Sequence, residues 1–450
     1  MSNISTSLRR PEIEQSILNP VFLTLWAMQA LTQTSQNVIN FALLILAQTI
    51  TGSTTHVSFI ILSFSLPAVI FSSVAGVLVD HWNKRTVMAA SNIIRAFAVA
   101  SYIFVNDSSD MPRVYLASFV LASAAQFFAP AEGAVIPRIV GKRALITANS
   151  LYNLTFMASQ FLGFTIIGWL LIRFIGLRNV FILIAILYAI AAIVIATLPI
   201  PDIRARTDEG ISLEKIWQDL REGWHFIIER RSLAITIIHL SIANSSYLML
   251  GTLGPSFVTN ILHIRSEDLG LLLAPAGLFT LLGIILVNKL AKPSNRHEMI
   301  HFGLMGVGVS VVGLAITTPI TNLIAENASV ITPSWLTTFI AVLLSMLFGF
   351  SAAFVAIPAQ TVLQEKSHDY NRARVLSTFY TVSNAASFFP ILLAGSISDH
   401  IGILQTMTII GLFIVTVGAS SQYLFLQNNR NWDKARIGIT ETFPRKGSKA

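Results

Sequence analysis

The residue types and spacings in this chain that could do chemistry fall into a few groups. His297-Glu298-Met-Ile-His301 matches the H-E-x-x-H pattern. On a helix its two imidazoles share one face and can hold zinc, with Glu298 as general base. A catalytic zinc needs a third protein ligand. No further His follows at the usual spacing; the next acid, Glu326, lies past the ninth hydrophobic segment on the opposite membrane face, and Asp399 is also on the outer side. A metalloprotease is therefore the remote alternative, and neither a catalytic residue nor a metal site is assigned.

A second group is Gly76-Val-Leu-Val-Asp80-His-Trp-Asn83-Lys84-Arg85. A carboxylate at a helix end can dock at the positive N-terminus of another helix. The two cations can pair with a neighbouring acid, and Glu132 is the nearest candidate. Gly76 would permit close helix approach. Ordinary flanking charge explains Lys84 and Arg85 but not Asp80. Gly76, Asp80, Lys84, Arg85 and Glu132 are thus candidates for a contact between neighbouring helices.

Amides form the third group. Gln29, Gln33, Gln36, Asn37 and Asn40 recur at helical spacing, as one polar face on a segment otherwise rich in Leu, Ile and Ala. Asn149, Asn153 and Gln160 share a face; so do Asn244 and Ser245 with Ser241 and Thr252, and Thr381 and Asn384 with Ser377. Amides are costly against lipid, so such faces turn toward a neighbour or a wet cavity. The plainer alternatives are helix–helix glue for the amides and backbone bonding for each hydroxyl. Finally, Arg95 lies alone inside an apolar run and needs a partner: Glu132, a carbonyl or an anionic substrate. Of the ionisable groups Glu132, Asp80 and His301, Glu132 is the best candidate to gain and lose a proton, with Arg85 or Arg95 as the nearby cation that would bias its charge, so Glu132 and Arg95 are the coupling candidates.

The elements that position these groups are hydrophobic helices. The chain has 450 residues, of which 54% are hydrophobic and 12% charged, and its mean hydropathy is +0.68. Typical soluble domains carry roughly 25% charged residues. A soluble enzyme, a disordered chain and a disulfide scaffold are excluded, the last also because the cysteine count is zero. Twelve runs are long enough to cross a bilayer: 21–47, 57–79, 87–105, 114–134, 150–172, 179–198, 233–258, 268–289, 299–318, 335–357, 375–398 and 403–426. The eighth is interrupted by Pro275 and Gly277.

With the N-terminus inside, the inner segments hold 25 Lys and Arg and the outer loops four. This bias sets orientation, with both termini cytoplasmic, and supports an even number of spans. It also makes the net charge of +8 a topology signal, with no nucleic-acid partner expected. The expected organisation is a six-helix half (1–198), a cytoplasmic linker (199–232) with an amphipathic helix, a second six-helix half (233–426) and a cytoplasmic tail (427–450).

The loop after the second span resembles the signature Gly-x-Leu-x-Asp-x-x-Gly-Arg-Lys of the major facilitator superfamily. Asn83 replaces the second Gly, and the two cations are exchanged in order. Leu66-Pro67-Ala68, Ser91-Asn-Ile-Ile-Arg95-Ala96, Phe128-Ala-Pro130-Ala131, Ile136-Pro137, Ala148-Asn149-Ser150-Leu151 and Arg221-Glu-Gly-Trp224 are similar to the bacterial macrolide- and enterobactin-exporter branch. The resemblance implies an all-α major facilitator fold with a central cavity between its halves. It implies a latch in which the motif's Asp meets the eleventh helix and its cations approach a fourth-helix acid, a pattern that Asp80, Arg85 and Glu132 fit by position. Two departures bear on coupling: Gly163-Phe164-Thr-Ile-Ile167-Gly168 lacks the Pro and one Gly of the Gly-Pro-x-x-Gly-Gly motif, and the first span has no carboxylate.

The function expected is export of an amphipathic, drug- or siderophore-like small molecule across a bacterial plasma membrane by alternating access. No G-x-x-x-x-G-K-[ST] motif occurs, so the energy source is an ion gradient, with protons the candidate ion. The chain is expected to be monomeric, without cofactor and not an enzyme. A lipid or lysolipid translocase of the same fold is the alternative.

Overall fold

The computed structural model describes residues 19–141, 144–200, 221, 231–292, 295–328, 334–366 and 372–442. Among these the chain is helical nearly throughout. The first half contains α1 (Pro20–Thr51), α2 (Thr54–His81), α3 (Lys84–Ser101), α4 (Met111–Ile139), α5 (Leu145–Leu162), α6 (Gly168–Ile175) and α7 (Leu177–Thr197). The second contains α8 (Arg231–Asn260), α9 (Gly270–Leu290), α10 (Arg296–Ala328), α11 (Ser334–Lys366), α12 (Arg372–Ile401) and α13 (Ile403–Thr442). A π-turn, Gly163–Ile167, joins α5 to α6 as one span, so these helices make the twelve expected spans. Pro275 lies within an unbroken α9. Most of the expected linker helix (201–220 and 222–230) lies outside the described residues. The last helix continues past 426 to Thr442.

Local chemistry sets the helix ends. The side chain of Asn19 caps α1 by accepting the Val21 N–H at 3.0 Å, and Pro20 opens the first turn, where a missing N–H costs nothing. Gly52 ends α1 in the left-handed region at φ 62°, which a glycine adopts without strain. Asn83 caps α3, accepting the Thr86 N–H at 3.0 Å. That is a reason for Asn where the family signature has Gly.

Among the described residues ten helices are long and apolar enough to cross a membrane. The two that fall short among the described residues are α1 and α8, the first span of each half. Their amides and hydroxyls lower their hydropathy. Large apolar side chains such as Phe97, Ile193 and Phe389 are exposed, as expected where lipid is the surrounding solvent.

Packing groups the chain into two compact units. One takes in Met1–Arg231, Asn244–Ala274 and His368–Ile403; the other takes in Ser232–Ala243, Pro275–Ser367 and Leu404–Ala450. The division falls within α8 and near the start of α9. Within the first unit, Leu25, Val79, Met88, Phe128, Ala131, Val135 and Ile195 form a buried cluster that joins α1, α2, α3, α4 and α7.

Candidate functional site

α1, α3, α4, α5 and α7 converge on a buried polar cluster inside the first unit. Glu132 of α4 is 1% exposed and Arg95 of α3 is 4% exposed. Tyr152 of α5 donates its hydroxyl to Glu132 Oε2. The Arg95 guanidinium carbon lies 4.9 Å from the Phe128 ring centroid and 5.7 Å from that of Tyr188, and its Nη1 donates to Asn92 Oδ1 at 3.4 Å. The cation is therefore held by two aromatic faces and an amide, and Arg95 and Glu132 make no direct ion pair. The Tyr188 hydroxyl reaches Thr32 O and Gln36 Oε1, each at 3.4 Å. Gln36 in turn donates to Asn40 Oδ1 at 3.0 Å.

Hydrogen-bonding capacity is left over in this cluster. Both amide atoms of Gln29, Nδ2 of Asn92, Nε of Arg95 and Oε1 of Glu132 are buried with no partner. Unmet buried polar groups cost roughly 1–3 kcal/mol each, more where charged. Such a set rarely persists unless something bonds it at some stage of function.

The amide stripe of α1 thus divides. Gln36 meets the cluster through Tyr188 and Gln29 is buried two turns earlier on the same side of α1, while Asn37 is buried and donates to Gln33 O at 2.9 Å. Along α5, Asn149, Asn153 and Gln160 are exposed. The α5 residues that meet α1 are Thr155, which accepts Trp26 Nε1 at 2.9 Å, and Ser159, which accepts Thr34 Oγ1 at 3.0 Å. They lie about a third of a turn from the face that carries Asn149, Asn153 and Gln160. Next along this contact, a Cβ on Gly163 would fall 2.9 Å from Asn37 Cβ, so the glycine is what lets the π-turn lie against α1. On α8 and α12, Asn244 and Ser245 both bond Ser387 Oγ, at 3.3 and 2.8 Å. Thr381 and Asn384 are half-buried on the same α12.

In the loop after α2 both cations bond backbone carbonyls. Lys84 Nζ donates to the carbonyls of Val79, Asp80 and Trp82 at 2.9, 2.7 and 3.2 Å, closing the end of α2. Arg85 donates to Leu198 O at 3.4 Å. Glu132 is bonded by Tyr152 instead of by either cation. Asp80 is exposed, and the side chains of 372–380 at the start of α12 lie outside the described residues. Among the described residues a Cβ on Gly76 would meet nothing within 4 Å.

His301 packs edge-on against His239, with ring centroids 5.5 Å apart, and His239 bonds Ser421 at 2.8 Å. Glu298 is exposed. Among the described residues no group of three His, Cys, Asp or Glu could hold a metal ion.

Sequence reasoning missed the three tyrosine and aromatic partners of Glu132 and Arg95, and it missed Asp399. The Asp399 carboxylate of α12 accepts the backbone N–H groups of Thr54 and Thr55 at 2.8 and 3.0 Å. It also accepts the hydroxyls of Ser53 and Thr55. The available signal was the spacing: Gly395-Ser-Ile-Ser-Asp399-His400 repeats Gly76-Val-Leu-Val-Asp80-His81.

Comparison with known proteins gives a consistent picture. The family model described as Major Facilitator Superfamily matches residues 25–390. The multidrug efflux pump Tap of Mycolicibacterium fortuitum is 24% identical over 90% of this chain and 95% of its own length. Macrolide efflux protein A of Streptococcus pyogenes is 22% identical over 88% and 94%. Among solved structures, the nucleoside transporter NupG superposes with a TM-score of 0.68 at 14% identity, covering 90% of this chain and 99% of its own. A bacterial homologue of the human lysosomal transporter Spinster superposes at 0.63 and 14%, covering 90% and 97%.

Proposed function

Because this chain belongs to the major facilitator superfamily, we propose that it is a secondary exporter of an amphipathic, neutral or weakly charged small molecule, driven by an ion gradient. The observation that carries this reading is the buried polar cluster with unmet hydrogen-bonding capacity at Gln29, Asn92, Arg95 and Glu132. It lies beside the amide face of α1 in a chain similar along its length to proteins named for drug and macrolide efflux.

In this reading the halves 1–198 and 233–426, joined by 199–232, rock about a cavity lined by Gln29, Gln33, Gln36, Asn37 and Asn40, with Asn149, Asn153 and Gln160, and with Asn244, Ser245, Thr381 and Asn384 from the second half. The Lys- and Arg-rich end faces the cytoplasm with both termini. Gly76, Asp80, Lys84 and Arg85 latch that end. Glu132 carries the proton, and Arg95 biases its charge from nearby. Tyr152 holds Glu132 in place between turnovers.

The test is export of a macrolide, other amphipathic drugs and a lysolipid from cells carrying the wild-type chain, Asp80→Asn or Glu132→Gln. Wild type lowers accumulation of at least one drug. Asp80→Asn impairs transport far more than expression, because its charge acts on a conformational balance. Glu132→Gln abolishes pH-gradient-driven transport while substrate binding stays detectable. A response to the lysolipid alone turns the reading to a lipid translocase, and a wild-type chain that moves none of these compounds removes it. Reporter fusions at Gln427 found outside the cell overturn the orientation.

A further inference from the structure

The end of α2 remote from Asp80 is closed by chemistry that the sequence had suggested for Asp80. Ser53 stands at the N-cap of α2, yet makes no capping bond to its own helix. The first-turn N–H groups of Thr54 and Thr55 are instead satisfied from α12, by the two carboxylate oxygens of Asp399. A carboxylate at a helix N-terminus also meets the positive end of the helix dipole. One turn before it, Gly395 brings the backbones together: a Cβ there would lie 2.1 Å from Ser58 Oγ and 2.8 Å from Thr54 O. Ser58 Oγ donates to Ile391 O at 3.0 Å across the same seam.

First-half and second-half helices are tied by other bonds at this end. Thr54 Oγ1 and Ser256 Oγ lie 2.8 Å apart, and Ser256 donates to Gln48 Oε1 at 2.6 Å. Arg173 of α6 pairs with Asp268, just before α9. Every one of these contacts joins a helix of the first half to one of the second, and none is covalent.

We propose that Gly395 and Asp399 form a second latch, one that holds the Thr54 end of the molecule shut and is broken each time that end opens. The proposal rests on the alternating-access reading above. α2 would then take part in both gates: it carries Asp80 at one end and offers its own N-terminus to Asp399 at the other. Releasing Asp399 favours the state open at the Thr54 end, and releasing Asp80 favours the opposite state.

The chain has no cysteine, so a single Ser256→Cys reports on this end. Ser256 is 1% exposed beneath the start of α2. The experiment measures the rate of maleimide labelling of purified full-length Ser256→Cys protein in lipid nanodiscs. The parent labels slowly, as its Thr54 end opens from time to time. Asp399→Asn and Gly395→Ala label at least tenfold faster, and Asp80→Asn labels no faster than the parent. Asp399→Glu, which restores a carboxylate, returns the rate toward that of the parent. Ala131→Cys, in the buried cluster of the first half, stays unlabelled in each variant and so marks an intact fold. If Asp399→Asn exposes Ala131→Cys, then Thr55→Ala decides, since it removes one hydroxyl donor from Asp399.

A parent that labels slowly with no acceleration in Asp399→Asn, or in Thr55→Ala where that variant decides, overturns the latch and leaves alternating access standing. A chain that never labels at Ser256→Cys in any variant overturns both. Drug export is not read in this assay, so an exporter that moves none of the tested compounds still shows the shift if the latch exists.

Discussion

At one end of α2, Gly76 has open space beside it and Asp80 is exposed. At the other, Gly395 and Asp399 reach over from α12 with backbone against backbone and four hydrogen bonds on one carboxylate. Both pairs have the spacing Gly-x-x-x-Asp-His. The spacing alone therefore does not determine what a pair does. At the Asp399 end a helix N-terminus with unsatisfied N–H groups stands within reach, the carboxylate caps it and the glycine admits the approach. At the Asp80 end the described residues show the ammonium of Lys84 closing the helix by bonding carbonyls of its last turn.

The glycines give the widest separation between the two ends. Gly395→Ala is expected to lower stability by about 2 kcal/mol, because overpacking of a tight contact costs roughly 1–3 kcal/mol. Gly76→Ala is expected to be neutral or to raise it by about 0.5 kcal/mol, since Ala suits a helix interior better than Gly and meets no neighbour. Thermal unfolding in detergent, followed by tryptophan fluorescence, compares the two, and equal losses would erase the distinction.

The carboxylates come next. Asp399→Asn is expected to cost about 1–2 kcal/mol in the same measurement, the range for removing a good helix cap. Asp80→Asn should stay within about 0.5 kcal/mol, as surface substitutions do, while transport falls. A stability loss at Asp80 equal to that at Asp399 would mean that both ends are bonded in the same state.

The smallest effect concerns Asn83. Asn83→Gly restores the residue of the family signature but removes the cap of α3. It should cost a few tenths of a kcal/mol, as Asn-to-Gly changes at caps do. A gain would show that the loop is held by something other than this cap.

Hydropathy made the helices legible. Each apolar run of bilayer length became a helix, and even Pro275 left α9 whole. The same property marked α1 and α8 as unusual, through Gln29 to Asn40 and through Asn244 to Thr252. The partners of the buried charges were harder to see. A search for the partners of Arg95 and Glu132 naturally runs through oppositely charged residues, whereas the structure uses Tyr152, Phe128, Tyr188 and Asn92. Aromatic side chains count as apolar in a hydropathy profile, although a phenol hydroxyl can bond a carboxylate and a ring face can hold a cation. The stripe along α5 was legible only in part. Helical spacing shows that Asn149, Asn153 and Gln160 share a face, but not which neighbour that face meets. The role of Asp399 was not legible because spacing does not show that the N-terminus of α2 stands within its reach.

The π-turn at Gly163–Ile167 makes the fifth span two helices out of phase. An α-helical turn takes 3.6 residues, and each residue advances the side-chain direction by about 100°. A turn closed by i→i+5 bonds takes in one residue more. Everything from Gly168 onward is therefore rotated by roughly 100° from where an unbroken helix would carry it. Trp169 and Arg173, which reach Asp268, occupy their bearings only because of that extra residue. One helical wheel drawn through 145–175 would aim them at the wrong neighbour. The span behaves like a shaft with a single offset coupling, in which the half that meets α1 and the half that meets Asp268 are set independently along one continuous chain.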